Sequence, residues 1–304
     1  MATPTLIVRA HAKINLSLRV GPRRLDGFHE LRTVYQAIDL HDTLRMADRK
    51  GPFALSCRTP GIPLDTTNLV YKAVEAMWRR LARAGEPRDL SIRLLKRIPS
   101  QAGLGGGSSD AAATLVGLNR LWRARLRHDE LVTMAATLGS DVPFFLVGGT
   151  VLGLGRGEML QPLPDAPSRE VVIVHPPVGI ATADAYGWFD ADARAAAAAT
   201  WVDTAASRVR RTDPIVNDLE APVERRQPVI SAARRALVAA GALAAGMTGS
   251  GSAVFGLFET RRAAGGAARA LTRAGWTVFA TRTLTRTNYD RRAKPVPRAR
   301  AAAR

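Results

Sequence analysis

The first part of the chain alternates apolar and polar residues with a period of two. Between positions 11 and 20, every second position is apolar, at Ile14, Leu16, Leu18 and Val20. Successive side chains of a strand point to opposite faces, so this spacing places the four apolar residues on one face. The pattern predicts a strand that buries this face in the core of the protein.

Lys13 and Asn15 lie on the opposite face of the same predicted strand. An ammonium group beside an amide is compatible with the exposed edge of a sheet. It is equally compatible with two polar groups that point together into a cleft. The alternation alone favours neither interpretation.

Most of the remaining chain alternates between short apolar runs and segments of helical periodicity. Further strands are predicted at residues 34–40, 42–46, 53–57, 90–95, 170–174, 253–258 and 277–283. Helices are predicted at residues 69–84, 111–121, 129–138, 182–189, 229–245 and 262–275.

A change to proline and small polar residues near positions 163–168 predicts a domain boundary. We therefore expect an N-terminal domain at residues 1–165 and a C-terminal domain at residues 166–288. The last segment, 289–304, is basic and rich in proline and alanine, and it is predicted to be a disordered tail.

The segment from Ile98 to Ala112 is a glycine-rich connection between a predicted strand and a predicted helix. Its glycines permit positive φ and a close approach of the backbone, so several N–H groups can converge on one anion. The helix that follows adds free N–H groups and about half a positive charge. The segment is therefore predicted to hold phosphate. The alternative is a flexible loop in which Ser108 or Ser109 caps the helix.

Two common glycine motifs of nucleotide-binding proteins are excluded in this segment. A P-loop needs a lysine directly after its last glycine, but Ser108 follows Gly107 here. The dinucleotide motif Gly-x-Gly-x-x-Gly fails because positions 108 and 110 are serine and aspartate. The predicted phosphate site belongs to neither class.

Two other places carry side chains suited to ligand binding or catalysis. Phe28 and His29 follow an Asp-Gly turn, where an aromatic ring and an imidazole could stack on a nucleobase and bind its edge. A hairpin turn with Phe28 in the core and His29 on the surface fits the same residues. Asp141 precedes a short apolar run and is a candidate helix N-cap, although a carboxylate fixed there would also suit catalysis.

The composition indicates a globular protein with sizeable cores. The chain has 304 residues, of which 46% are hydrophobic. A cytoplasmic location is expected, because the single cysteine, Cys57, cannot form an internal disulfide and the sequence shows no leader. The uncharged stretch between Arg235 and Glu259 contains glycines and serines in its middle. It predicts a helix, a turn and a strand, and not a membrane span.

The net charge of +18 raises nucleic acid as a partner. However, arginines alternate with alanines along much of the chain, and aromatic residues make up only 6% of it. Binding of single strands by stacking needs more aromatic residues. We interpret the charge as solvated helix faces that attract anionic metabolites, and a nucleic-acid-binding protein is the alternative class.

Three separated motifs together resemble one family of kinases. They are the strand with Lys13 and Asn15, the segment from Pro99 to Ala112, and the turn Gly249-Ser250-Gly251. In order and spacing they resemble the GHMP kinases, named after galactokinase, homoserine kinase, mevalonate kinase and phosphomevalonate kinase. Segments 26–31 and 139–145 are similar to those of members that phosphorylate a cytidine diphosphate-linked alcohol in the non-mevalonate isoprenoid route.

The resemblance implies an α+β fold of two domains with the active site in the cleft between them. The N-terminal domain would have a mixed sheet and a left-handed β-α-β unit, and the C-terminal domain would be an α/β sandwich. The implied ligands are ATP, Mg²⁺ and a small-molecule alcohol, with no dedicated nucleic acid and no membrane. The implied assembly is a monomer or a weak homodimer.

The resemblance also implies which residues bind the two substrates. ATP binding is implied for Asn68, Leu69, Lys96, Pro99, Gly103, Leu104, Gly105, Gly106, Gly107, Ser108 and Ser109. Substrate binding is implied for Asn15, Phe28, His29, Thr182 and Tyr186. The cytosine would stack on Phe28, and His29 would read its edge. Gly249, Ser250 and Gly251 would form a turn on the phosphate side.

Lys13 and Asp141 are the catalytic residues that the resemblance implies. Asp141 would accept the proton of the substrate hydroxyl as it attacks the γ-phosphorus, while Lys13 keeps Asp141 ionised and polarises that hydroxyl. The Mg²⁺ ligands stay open, with Ser108 or Ser109 favoured. Asp110 departs from the many members with alanine there and adds a carboxylate beside the triphosphate. Alternative family substrates are homoserine, mevalonate or a sugar, for which an aromatic platform has no use.

Overall fold

The computed structural model describes residues 5–195 and 215–297 of the chain. Its strands are β1 (Leu6–Arg23), β2 (His29–Pro52), β3 (Ala54–Cys57), β4 (Arg88–Leu95), β5 (Thr150–Gly155), β6 (Met159–Pro162), β7 (Glu170–His175), β8 (Val216–Asn217), β9 (Ala244–Met247), β10 (Val254–Phe258), β11 (Thr277–Arg282) and β12 (Val296–Pro297). Its helices are α1 (Leu69–Arg80), α2 (Gly106–Leu121), α3 (His128–Leu138), α4 (Phe144–Val147), α5 (Thr182–Ala195), α6 (Glu220–Arg226), α7 (Pro228–Ala239), α8 (Arg261–Arg273) and α9 (Arg286–Ala293). Within these two described ranges, no helix has both the length and the apolar character needed to cross a membrane.

The N-terminal half is built on a mixed sheet of eight strands. Its main path runs β12-β1-β2-β4-β3, with β5 beside β2, β6 beside β5, and β8 beside β1. The pairs β3–β4 and β1–β8 are parallel, and the other pairs are antiparallel. The expected mixed sheet is therefore confirmed. β3, α1 and β4 form a parallel β-α-β unit, whose left-handed crossover stays a prediction.

β2 is one strand of 24 residues where the sequence predicted two shorter ones. Residues 31–36 of β2 pair with β5, and residues 43–48 pair with β4. β1 runs along both parts, with shifts of register that follow His11 and Asn15. A change of partner therefore separates the two apolar runs, and the strand itself continues.

The C-terminal half is an antiparallel sheet of four strands in the order β11-β7-β10-β9. On β7, Val172 and Val174 point into a core shared with α7 and α8. Their neighbours Val171 and Ile173 point the other way, into a core shared with Ile14 of β1. Both faces of this sheet are therefore buried, one by its own helices and one by the N-terminal half. This arrangement agrees with the expected C-terminal sandwich.

The last described segment returns to the N-terminal half. β12 pairs with β1, and the buried Tyr289 of α9 donates its hydroxyl hydrogen bond to the Phe145 carbonyl at 2.7 Å. The prediction of a disordered tail from residue 289 is therefore wrong for residues 289–297, because a buried ring and strand pairing hold this segment in place. Residues 298–304 of the predicted tail lie outside the described residues.

The alanine-rich run from 229 to 245 was predicted as one helix, but it forms two elements. α7 ends at Ala239, and Gly241 follows with a φ of 90°. A glycine in the left-handed region commonly ends a helix. The residues from Ala244 onward pair with β10, so pairing with a neighbouring strand outweighs the helical preference of alanine.

Candidate active site

A cleft of about 1080 Å³ opens between the two halves of the chain. Most of the predicted site residues line it, namely Lys13, Asn15, Phe28, His29, Asn68, Leu69, Lys96, Pro99, Gly103, Leu104, Gly105, Gly106, Gly107, Ser108, Asp141, Thr182, Tyr186, Gly249 and Ser250. Ser109 and Gly251 do not line the cleft. The fold therefore brings together residues that are far apart in the sequence, from Lys13 to Ser250.

Two glycines of the predicted phosphate loop have backbone conformations that disfavour other residues. Gly103 and Gly105 have φ angles of 69° and 70°. A Cβ atom on Gly103 would lie 2.0 Å from the carbonyl oxygen of Thr248, and one on Gly105 would lie 2.6 Å from Cζ of Phe145. The loop thus packs closely against Thr248 of the C-terminal half and Phe145 of the N-terminal half. Its positive φ angles and these close contacts both favour glycine at the two positions.

The start of α2 determines what the two serines can do. α2 begins at Gly106 and not at the predicted Ala111, and no side chain caps it, so the serine-cap alternative is wrong. The first N–H groups of the helix are therefore left for an anion in the cleft. The buried hydroxyl of Ser109 donates to the His11 carbonyl at 2.6 Å and does not face the cleft. Ser108 lines the cleft and is the serine that can reach a metal ion.

Asp141 is oriented by two donors from neighbouring strands. The Tyr35 hydroxyl donates to Oδ1 of Asp141 at 2.9 Å, and Nζ of Lys13 lies 4.0 Å from Oδ2. Burial lowers the pKa of Lys13, and the charge of Asp141 acts against this shift. Burial, and then the Asp141 carboxylate, raise the pKa of Tyr35, so the phenol stays a donor. The N-cap alternative for Asp141 is wrong, because α4 begins at Phe144 without a side-chain cap.

Asn15 connects β1 to the turn after β9. Its Oδ1 accepts from Nζ of Lys13 at 2.6 Å and from the Thr248 hydroxyl at 3.1 Å. Its Nδ2 donates to the Thr33 hydroxyl at 2.7 Å. The alternating polar face of β1 is thus a face of the cleft and not an exposed edge, and Asn15 holds the Lys13 ammonium in place.

Two of the three residues predicted in the turn after β9 line the cleft. Gly249 and Ser250 reach the cleft, and the Ser250 hydroxyl lies 3.2 Å from that of Thr182 on α5. Gly251 donates its N–H to the Thr248 carbonyl at 3.0 Å and lies behind the turn. Of the predicted phosphate-side turn, Gly249 and Ser250 therefore line the cleft and Gly251 does not.

Lys96 is held between two carboxylates. Its Nζ lies 2.5 Å from Oδ2 of Asp42 and 2.8 Å from Oδ2 of Asp110. Burial raises the pKa of Asp110 to about 8, against the effect of Lys96 and together with that of Asp42. Burial lowers the pKa of Lys96, but the two carboxylates outweigh it and raise the pKa above its ordinary value. Asp110, which the sequence left unexplained, therefore pairs with Lys96 beside the glycine loop.

The other end of the cleft carries aromatic side chains. Phe28 is 55% exposed, so the alternative with Phe28 in the core is wrong. The Arg156 guanidinium lies 5.0 Å from the centre of its ring. Tyr186 stacks on His29 with the two rings 5.6 Å apart, and Nε2 of His29 lies 3.0 Å from Oδ1 of Asp190. An exposed ring beside a partly buried aromatic pair is suited to a planar ligand.

Among the cleft residues that escaped the sequence reasoning, three are notable because their side chains contact predicted site residues. They are Tyr35, Arg156 and Asp190. Tyr35 lies in a strand with apolar neighbours, Arg156 in a glycine-rich turn and Asp190 on a helix, so each looks ordinary in its local context. For Asp190 the spacing from Tyr186 was an available signal, because residues four apart share a helix face.

Oxygen ligands suitable for Mg²⁺ are present in the cleft, at the Ser108 hydroxyl and the Asp141 carboxylate. In the described part of the chain, a second cluster of metal-ligand type contains His11, Asp39 and His41. Asp39 already pairs with Arg292 at 3.1 Å, so its charge is balanced by a cation. The ligand chemistry therefore favours the cleft as the place for Mg²⁺.

Comparison with known proteins agrees with this geometry. Residues 68–149 match the family model of the GHMP kinases N-terminal domain, and residues 191–276 match that of the GHMP kinases C-terminal domain. The chain is 46% identical to a 4-diphosphocytidyl-2-C-methyl-D-erythritol kinase of Anaeromyxobacter dehalogenans, over 88% of this chain and 85% of the relative. It is 42% identical to the kinase of the same name from Gloeobacter violaceus, over 84% of this chain and 87% of the relative.

Solved structures give the same result. A crystal structure of 4-(cytidine 5'-diphospho)-2C-methyl-D-erythritol kinase superimposes with a TM-score of 0.76 at 36% identity, covering 91% of this chain and 98% of that one. A homoserine kinase from Cytophaga hutchinsonii, at 18% identity and a TM-score of 0.65, shares the fold.

Fold and cleft together define an ATP-dependent kinase of small molecules. By its sequence and its structure, the chain belongs to the GHMP kinases and, within them, to the 4-diphosphocytidyl-2-C-methyl-D-erythritol kinases.

Proposed function

We propose that the protein transfers the γ-phosphoryl group of ATP to the 2-hydroxyl of 4-diphosphocytidyl-2-C-methyl-D-erythritol, in the non-mevalonate (MEP) route to isoprenoid precursors. The names of the curated relatives support this substrate. The observation that carries the proposal is the position of Asp141 and Lys13 in one cleft with a glycine cradle and an exposed aromatic ring. A kinase for a nucleotide-linked alcohol needs all three features.

The transfer follows from the roles of three side chains. Asp141 takes the proton of the substrate hydroxyl while the oxygen of that hydroxyl forms a bond to the γ-phosphorus and ADP leaves. Lys13 places a positive charge 4.0 Å from Oδ2 of Asp141 and stabilises negative charge on the attacking oxygen. Asn15 holds the ammonium of Lys13 by the 2.6 Å hydrogen bond. Proton transfer of this kind contributes roughly 10²–10⁴-fold to the rate.

The phosphate groups of ATP bind at the glycine loop and the first turn of α2. Free N–H groups at the start of a helix donate to phosphate oxygens, and the helix dipole favours their negative charge. Ser108 is the residue that would hold Mg²⁺, which would neutralise charge on the transferring phosphate when bound. Asn68, Leu69 and Lys96 line the end of the cleft that takes the adenine.

The proposal extends to the setting of the enzyme. We place it in the cytoplasm, as a monomer or a weak homodimer, with no dedicated nucleic-acid partner. Measurement of its mass in solution by light scattering checks the assembly. Other substrates of GHMP kinases, such as homoserine, mevalonate or a sugar, leave the exposed Phe28 without a function.

The decisive experiment is a substrate panel with ATP and Mg²⁺. Turnover is measured with the cytidine diphosphate-linked alcohol, with the same alcohol lacking the nucleotide, and with homoserine and mevalonate. We expect turnover of the first compound and roughly 5–150-fold lower kcat/KM for the others, because nucleobase stacking supplies about 1–3 kcal/mol. Equal turnover of the first two compounds would contradict the cytosine site.

A further inference from the structure

Three side chains of metal-ligand type lie together on the N-terminal sheet, and none of them lines the cleft. His11 of β1 and His41 of β2 are directly paired across the two strands, and Asp39 lies two residues before His41. Directly paired residues, and residues two apart on a strand, share one face of a sheet. One ring nitrogen of each histidine and one oxygen of Asp39 lie within 4.8 Å of one another. The pairing of β1 with β2 therefore brings the three groups together.

His11 is the member of this cluster that lacks a partner. Its side chain is fully buried, and neither ring nitrogen makes a hydrogen bond of ordinary geometry within the described residues. Nδ1 lies 3.8 Å from Oδ1 of Asp39, which is too long for a hydrogen bond. A buried polar group without a hydrogen bond is costly. The fold therefore holds an unused nitrogen of His11 close to a carboxylate.

His41 is oriented in the way that is common for metal-binding histidines. Its Nδ1 lies 2.7 Å from the main-chain carbonyl oxygen of Asp39. A carbonyl only accepts, so Nδ1 carries the proton and Nε2 keeps a free lone pair. Histidine ligands of metals usually donate their other N–H to a carbonyl or a carboxylate, which fixes the ring. His41 and Asp39 are partly exposed, so an ion can reach the cluster from solvent.

Arginines around Asp39 determine what can bind to the cluster. Nη1 of Arg292, on α9, lies 3.1 Å from Oδ2 of Asp39, and Nε of Arg282 lies 3.9 Å from the same oxygen. Arg9 adds a further positive charge that acts on His11. The carboxylate is thus already paired with a cation. An ion that binds it has to compete with Arg292, and it needs the histidine nitrogens to do so.

Two imidazoles and one carboxylate are a ligand set for a transition metal. Zn²⁺ binds histidine nitrogens at about 2.0–2.1 Å and carboxylate oxygens at about 2.0–2.2 Å, and water can take a fourth position. Two ligands of one tetrahedral Zn²⁺ lie roughly 3.3 Å apart, so side-chain shifts of about an ångström bring the three groups within range. Mg²⁺ prefers oxygen ligands, and the nitrogens therefore disfavour it.

We propose that His11, Asp39 and His41 form a binding site for one divalent transition-metal ion, with Zn²⁺ as the best-fitting ion, which competes with Arg292 for the Asp39 carboxylate. The site lies outside the cleft and uses none of the catalytic residues. Because Arg292 lies on α9, metal binding weakens one contact between that helix and β2. The proposal is independent of the substrate that the kinase phosphorylates.

The test titrates the full chain, freed of any histidine tag, with Zn²⁺ by calorimetry and with Co²⁺ by visible absorbance. We expect one ion per chain, and a Co²⁺ ion with four ligands should absorb much more strongly than hydrated Co²⁺. His41→Gln is expected to weaken binding at least about tenfold, because even loss of an outer partner of a metal ligand costs about 10–100-fold. His175→Gln, at a partly buried position on β7, is the matched control and should bind as wild type does.

Arg292→Gln is expected to have the opposite effect. Removal of the competing charge should tighten Zn²⁺ binding by at least about threefold. A general disturbance of the structure would weaken binding in both variants, so the opposite signs identify competition at Asp39.

Two results would overturn the site itself. One is the absence of stoichiometric binding by wild type, and the other is binding that His41→Gln leaves unchanged, which would place the ion elsewhere. Equal or weaker binding by Arg292→Gln would overturn the competition. If His41→Gln does not fold, the effect of Arg292→Gln on the affinity decides in its place.

Discussion

Asp141 and its donors show how single residues set the chemistry of the cleft. The carboxylate is partly exposed, so a substrate hydroxyl can reach it, yet each oxygen faces a donor. Tyr35 donates to one oxygen through a phenol that burial keeps protonated. Lys13 faces the other oxygen and supplies positive charge without direct contact, at 4.0 Å. Orientation and charge thus come from different residues.

Substitution of Asp141 by asparagine tests the assignment of the base. Asparagine keeps the shape of the side chain but cannot take the proton, so kcat is expected to fall roughly 10²–10⁴-fold. ATP affinity, measured by calorimetry, should stay within about threefold of wild type. The exposed Asp184→Asn variant is the control for loss of a negative charge. Near-normal turnover by Asp141→Asn would rule out the role of the base.

Asp110 is expected to make stability depend on pH. Burial raises its pKa to about 8, well above the value of about 3.9 for an aspartate in an unfolded chain. Between these values the native state binds the proton more tightly than the unfolded state, so stability falls as pH rises from about 4 to about 8. The amide of the Asp110→Asn variant cannot ionise, so the stability of that variant should not fall in this way.

The measurement is the Tm of wild type and Asp110→Asn at several pH values from 5 to 8.5. Both Tm values should be close at pH 5, and wild type should lose at least about 3 °C relative to the variant by pH 8, where roughly 1 kcal/mol corresponds to 2–4 °C. Parallel curves would show that Lys96 keeps Asp110 ionised throughout this range.

At the scale of elements, the glycine loop is the part of the site that joins a strand, a helix and the opposite half of the chain. Its glycines are needed for two separate reasons, a positive φ and the lack of space for a Cβ. For Gly103 the neighbouring atom is a backbone oxygen of Thr248, which cannot move without opening the contact between the halves.

Gly103→Ala is therefore expected to lower Tm and to raise KM for ATP by at least about tenfold, because strain of about 1–2 kcal/mol adds to the steric clash. Gly107→Ala is the matched control for stability. Its Cβ would meet only Leu69 Cδ1 at 3.7 Å, and alanine favours a helix by up to about 1 kcal/mol. Thermal unfolding of both variants checks this, and a similar loss of Tm in both would contradict the steric explanation.

At the scale of elements, some parts of the site could be predicted from the sequence and others could not. The glycine segment and Lys13 were found because their patterns are local, and the cleft confirmed that they lie together. The partners Asp42 and Lys96 are 54 positions apart, and no short pattern connects them. Tyr35 was missed for the same reason, because the hydrogen bond to Asp141 forms only when β2 meets the loop before α4. Local chemistry was therefore predictable, and its long-range partners were not.

At the scale of the whole molecule, the chain crosses between its halves more than once. β8 from the C-terminal half pairs with β1, and α9 and β12 return to the N-terminal half after β11. The sequence pattern placed the break between halves near residue 165 but gave no sign of these returns. A short two-residue strand such as β8 carries too few residues for a periodic pattern. β8, α9 and β12 therefore connect the C-terminal part of the chain to the N-terminal half that carries much of the site.

Tyr289 is the anchor of the returning segment. Its ring would lie 2.1 Å from a Cβ on Gly148, so it packs directly on the backbone after α4. Its hydroxyl donates to the carbonyl of Phe145, and the ring of Phe145 is the group that faces Gly105 in the phosphate loop. A path of direct contacts therefore runs from α9 to the glycine loop.

Two substitutions of Tyr289 separate packing from hydrogen bonding. Tyr289→Phe removes only the hydroxyl and is expected to cost about 1 kcal/mol. Tyr289→Ala also removes the ring and is expected to cost about 3–5 kcal/mol, as for other large aromatic residues in a core. Chemical unfolding measures both values. Because loss of the ring loosens Phe145, Tyr289→Ala should also raise KM for ATP, whereas Tyr289→Phe should leave it unchanged. If Tyr289→Ala were destabilised without any change in KM, α9 would stabilise the fold independently of the phosphate loop.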